Sequence, residues 1–126
     1  MGNTIIDAGG IDRIFDVRSS SIFTVSGLTI QGGNASGGGG INVDSGTNLT
    51  LSNVIVTGNT TSDDGGGIYN GGTLTLRDTA ISSNSAVWGG AIYNTNTMIL
   101  DRVTIDANMS SNNGGGLYNF GGNSVS

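Results

Sequence analysis

Two phrases recur along this chain at a common spacing, and that constrains its fold more than any other feature. The first is Gly-Gly-Gly/Ala followed by an aliphatic residue, placing Ile41, Ile68, Ile92 and Leu117 at steps of 27, 24 and 25. The second is an alternating stretch that starts at Phe23, Leu49, Leu74 and Met98, at steps of 26, 25 and 24. Two independent phrases held to one period identify one supersecondary unit repeated along an axis.

Within each unit the apolar residues alternate with polar ones. In Leu74-Thr75-Leu76 the leucines point one way and the threonine the other, as a half-buried strand requires, and Ile68-Tyr69-Asn70 behaves the same way. Each unit carries three short strands, one after the glycines, one at Leu-Thr-Leu and one at Val-x-Val/Ile, separated by turn-rich stretches. Three strands and three corners in about 25 residues make one coil of a parallel β-helix, with equivalent strands paired about 4.8 Å apart. The expected fold is therefore an all-β solenoid of about five coils forming a single domain over residues 1–126. Its coils are read as 4–37, with a partial first coil, then 38–64, 65–88, 89–113 and a partial 114–126.

The aligned columns give the expected core. Ile41, Ile68, Ile92 and Leu117 line one wall, with Phe15 ahead of them. Leu49, Leu74 and Met98 line the second, with Phe23 ahead, and Val56, Ile81 and Ile105 line the third. No coil can bury such residues alone, so stacking of coil on coil is the source of stability.

Composition excludes several function classes. The 126 residues include no Cys and no His, which rules out disulfides, thiolate chemistry and imidazole general bases. All nine acids are Asp and all four bases are Arg, giving a net charge of -5. Without a Lys/Arg cluster to displace counterions, nucleic-acid binding is not expected. No apolar run approaches the roughly 20 residues that span a bilayer. Residues 1–6 do not read as a signal peptide, so an export signal is expected to lie outside this chain.

Two asparagine columns accompany the core: Asn59, Asn84 and Asn108 after the third strand, and Asn70, Asn94 and Asn119 after the tyrosines. Both read as structural ladders at corners, where stacked amides bond from coil to coil. Tyr69, Tyr93 and Tyr118 form an exposed column on the alternate face, read as cross-strand stacking. With Trp88, placed in a loop before the glycines, they are also the candidate strip for a carbohydrate or protein partner. Arg77 falls one coil from Asp101, and Asp78 one coil from Arg102, so two opposite-charge pairs are expected on the surface.

The Gly89-Gly90-Ala91-Ile92 stretch resembles the GGA-I/L/V motif of polymorphic outer membrane proteins of bacterial surfaces. Their companion motif, Phe-x-x-Asn, is matched with an aliphatic first residue at Val56-Thr-Gly-Asn59, Ile81-Ser-Ser-Asn84 and Ile105-Asp-Ala-Asn108. More broadly the chain is similar to right-handed parallel β-helix passengers of autotransporter-like proteins, over residues 4–122. The resemblance implies a right-handed coil and an extracellular or cell-surface location, with surface display and adhesion through a β-helix whose secretion barrel is separate.

An enzymatic reading finds little in the residues. Glycoside hydrolysis needs two carboxylates facing each other across the substrate. Asp78 and Asp101 each have an arginine neighbour, Asp106 lies alone on a surface, and Asp63-Asp64 is an acidic turn without equivalents in other coils. No catalytic, cofactor or metal residue is assigned, although Asp63-Asp64 is the one place for a weak Ca²⁺ site. An ice-binding array would use Thr24, Thr50 and Thr75, but Ile99 interrupts that column. The sequons at Asn34, Asn48, Asn59 and Asn108 are what so Ser/Thr-rich a chain produces by chance.

The expected function is a non-enzymatic structural building block of a cell-surface fibre or adhesin. Strand edges without polar caps invite pairing, so its expected partners are other copies stacked head to tail into filaments, or flanking coils of a longer solenoid. A carbohydrate-binding or polysaccharide-lyase-like module, with a glycan as partner, is the alternative.

Overall fold

The computed structural model describes residues 4–18, 20–120 and 123–126, and it is a parallel β-solenoid of about five coils. In chain order the strands are β1 (Thr4–Asp7), β2 (Phe15–Val17), β3 (Ile22–Ser26), β4 (Leu28–Gln31), β5 (Ile41–Val43), β6 (Asn48–Ser52), β7 (Ile55–Thr57) and β8 (Ile68–Asn70). Then follow β9 (Thr73–Arg77), β10 (Ala80–Ser82), β11 (Ser85–Trp88), β12 (Ile92–Asn94), β13 (Thr97–Asp101), β14 (Thr104–Asp106), β15 (Met109–Asn113) and β16 (Leu117–Asn119).

Strands of successive coils pair in parallel to build three long walls, ordered β2-β5-β8-β12-β16, β3-β6-β9-β13 and β1-β4-β7-β10-β14. The register places like over like: Ile41 beside Ile68, Ile68 beside Ile92 and Ile92 beside Leu117 on the first wall. On the second, Leu49, Leu74 and Met98 align, and on the third Val56, Ile81 and Ile105. Those of the middle coils are fully buried, whereas Leu117 and Ile105, at the last coil, are only partly covered. Phe23 heads its column on the edge strand β3 and is 43% exposed, because no described coil lies over it.

Two coils carry a fourth strand beyond the three expected. A short fourth wall joins β11 to β15, and bridges from Asn34 to Thr60 and from Thr60 to Ser85 extend it through the earlier coils. Its inward residues are small, Thr61 and Ala86, both buried. Trp88 therefore ends a strand rather than sitting in a loop, opposite Asp64 in one coil and Asn113 in the next.

The corners explain the glycine content. Gly65 has φ of 71°, in the left-handed region that β-carbons disfavour. A β-carbon on the next residue, Gly66, would lie 2.4 Å from the Gly90 carbonyl oxygen and 2.5 Å from that of Ser85. The glycine phrase is thus a corner where one coil's backbone rests directly on the next. The corner between the second and third walls is instead made by single left-handed residues, Asn53, Asp78 and Arg102, at φ of 54°, 47° and 52°.

Candidate functional site

Two internal ladders hold the coils in register. The Asn59 Nδ2 donates to Asn84 Oδ1 at 3.0 Å, and the Asn84 Nδ2 donates to Asn108 Oδ1 at 3.0 Å. Each of these amides also turns back to its own wall, Asn84 donating to the carbonyls of Val56 and Ser82 at 3.0 Å. In the second ladder Asn70 donates to Asn94 and Asn94 to Asn119, both at 2.7 Å. Asn59, Asn84, Asn70 and Asn94 are all buried, so every bond replaces one that water would otherwise make. None of the six takes a left-handed φ; the residue before the first ladder does, at Gly58, Ser83 and Ala107. Those amides point inward because the preceding residue turns the chain.

The outward side of the first wall carries Asp16, Asn42, Tyr69, Tyr93 and Tyr118 in one column. The tyrosine rings stack, with centroids 5.4 Å apart at 15° between Tyr69 and Tyr93 and 5.3 Å apart at 12° between Tyr93 and Tyr118. Trp88, from the fourth wall, meets Tyr118 edge-on at 5.1 Å, and Phe120 stacks near Tyr93 at 6.3 Å. Both faces of Tyr93 are thus taken by its neighbours. The ladder offers solvent its hydroxyl rim rather than flat rings on which a sugar could lie.

Asp63 and Asp64 border this strip. Burial pushes the Asp64 carboxyl above its usual range, and the adjacent Asp63 charge adds to the effect. The Tyr93 hydroxyl is pushed up mainly by burial, next by the Asp64 charge. Among the described residues neither carboxylate is in an ion pair.

Three of the four arginines are committed elsewhere. Arg102 donates bidentately to Asp78, at 2.6 and 3.0 Å, and reaches Asp101 at 2.9 Å. The expected Asp78–Arg102 pair is therefore present, but Asp101 bonds Arg102 rather than Arg77. Although Arg77 and Asp101 are neighbours in register, no ion pair joins them, and Asp101 pairs instead with Arg102, next in sequence. Arg13 and Arg18 both reach Asp16. The acids weighed for catalysis do not converge: Asp78 and Asp101 share one arginine, Asp106 lies on the third wall and Asp63-Asp64 on the fourth. Among the described residues no three potential ligands group around a metal position, and no helix is long and apolar enough to cross a membrane.

Two segments match the Chlamydia polymorphic membrane protein repeat, residues 53–71 and 78–95. The chain is a parallel β-helix, and these two segments of it are similar to that repeat. No curated protein and no solved structure gives a significant match. Each matched segment runs from a left-handed corner residue, Asn53 or Asp78, through a ladder asparagine to the strand beyond the glycine corner. The family's repeat therefore has a direct physical meaning here: the asparagine ties one coil to the next, and the glycines let the backbones touch. A repeat of this type is in keeping with a bacterial surface protein.

Proposed function

We propose that this polymorphic-membrane-type β-helix is a non-enzymatic structural module of a bacterial surface protein, a stiff segment that builds or displays a fibre or adhesin. The observation that supports it is the coincidence of the family repeats with successive coils, 53–71 and 78–95. Like side chains stacked coil on coil make a rod whose length grows by adding units and whose stability comes from their interfaces.

The same stacking extends to other coils. Among the described residues, edge strands β2 and β3 at one end, and β14, β15 and β16 at the other, have a strand partner on one side only. Ile22 at one end and Met109 at the other are among the most exposed apolar side chains. Flanking coils of a longer solenoid, or a second copy, would cover them, and a head-to-tail contact between copies does not close and gives a filament. Electron microscopy with light scattering tests this reading on purified protein. Rods or filaments that lengthen with concentration are the expected result, and a monodisperse 12.6 kDa species at high concentration would refute self-stacking.

A further inference from the structure

The aromatic strip has a chemistry that the scaffold role does not require. All three tyrosines and the single tryptophan of the chain gather on it, with Phe120 at its end. Scaffolding accounts for the tyrosine ladder, but not for Trp88 beside it or for the two carboxylates on its border. Elsewhere among the described residues the arginines lie by acids: Asp16 holds Arg13 and Arg18, Asp78 and Asp101 hold Arg102, and Arg77 sits near Asp78. No arginine reaches Asp63 or Asp64, in a chain of net charge -5 with no lysine.

From this unbalanced charge beside half-buried aromatic surface, we propose that the face formed by Trp88, Tyr118, Asp63 and Asp64 docks a basic peptide segment of a partner protein. An arginine of that segment pairs with the carboxylates, places its planar guanidinium against the Trp88 ring and donates to the tyrosine hydroxyl rim. Arginine is the residue whose flat, weakly hydrated cation suits both contacts. A neutral glycan suits them less well, because the stacked tyrosines leave no free ring face between them and the carboxylates ask for a cation. The site lies on the side of the solenoid, with Tyr118 on the edge strand β16 and Trp88 and Asp64 on coils farther in.

The single Trp88 is a built-in reporter of occupancy. Octa-arginine titrated into the whole chain at low salt is expected to give a saturable change in Trp88 emission. Asp63→Asn/Asp64→Asn is expected to weaken that binding at least about tenfold, whereas Asp7→Asn/Asp106→Asn, which removes the same charge from the third wall, leaves it within about twofold. Should the first variant fail to fold, Asp63→Asn alone, at an exposed position, carries the same direction of effect. Equal weakening by both double variants would show diffuse attraction and overturn the proposal. No response to octa-arginine, or a response to neutral cellohexaose that ignores Asp63 and Asp64, would overturn it as well.

Discussion

Asn108 Oδ1 accepts from Asn84 twice, from the side-chain Nδ2 at 3.0 Å and from the backbone N–H at 3.0 Å. The same double bond joins Asn84 Oδ1 to Asn59. One amide thus satisfies the neighbouring coil's backbone at a corner where no strand partner is available.

Removing the central rung is therefore expected to cost far more than removing the last. Asn84→Ala strips partners from Asn59, Val56, Ser82 and Asn108 in a buried setting, and a loss of roughly 3 kcal/mol or more follows from leaving several such groups unpaired. Asn108→Ala, at a partly exposed position, is expected to cost about 1 kcal/mol. Denaturant unfolding of the two variants checks the order.

Gly66→Ala is expected to be among the most damaging single-methyl changes in the chain. The added carbon meets the backbone carbonyls of Ser85 and, in the next coil, Gly90, neither of which has a rotamer to move to. A penalty of about 3 kcal/mol is expected from overpacking against rigid backbone, read as a drop in unfolding midpoint.

Equivalent corners invite a reciprocal test. Gly58 and Ala107 both have positive φ, 64° and 52°, and nothing crowds a β-carbon at Gly58. Gly58→Ala should destabilise by about 1 kcal/mol through backbone strain alone, and Ala107→Gly should stabilise by up to about 1 kcal/mol. Thermal melts of both variants give the two signs.

The carboxylates divide by pH. Hydrogen bonds from Arg18 and Arg102 hold Asp16 and Asp78 below the ordinary value of 3.8. Their stabilising contribution is present above that value and is lost as pH falls through the lower folded one. Asp64 runs the other way, since burial raises its folded value, so its ionisation at neutral pH works against the fold. Asp64→Asn is expected to raise stability at pH 7 by a few tenths of a kcal/mol and to leave it unchanged at pH 3, where the carboxyl is protonated folded or unfolded.

Wall register was legible in the sequence because the columns Ile41-Ile68-Ile92 and Leu49-Leu74-Met98 repeat both residue type and spacing. The fourth wall was not. Its pattern at Thr60-Thr61 and Ser85-Ala86 uses small residues that resemble turn sequence, and only their 25-residue offset gives it away. The left-handed corners were only partly visible: Asn53 and Asp78 are residue types that tolerate this backbone angle, whereas Arg102 adopts it with no such side-chain signal. Charge partners were half legible. Register brought Arg77 beside Asp101, but Arg102 sits next to Asp101 in sequence and is long enough to take both acids. The tyrosine column was visible, whereas the closing of its ring faces by stacking needs the ring angles.

The account stands on in-register stacking of coils, and the chain's lack of cysteine allows a direct test. Thr57 and Ser82 are register partners, with side-chain oxygens 3.3 Å apart, and Asp106 lies one coil beyond Ser82. Under mild oxidation Thr57→Cys/Ser82→Cys is expected to form an intramolecular disulfide, whereas Thr57→Cys/Asp106→Cys, about 10 Å apart, is not. Cross-linking of the second pair in preference to the first would contradict the stacked solenoid.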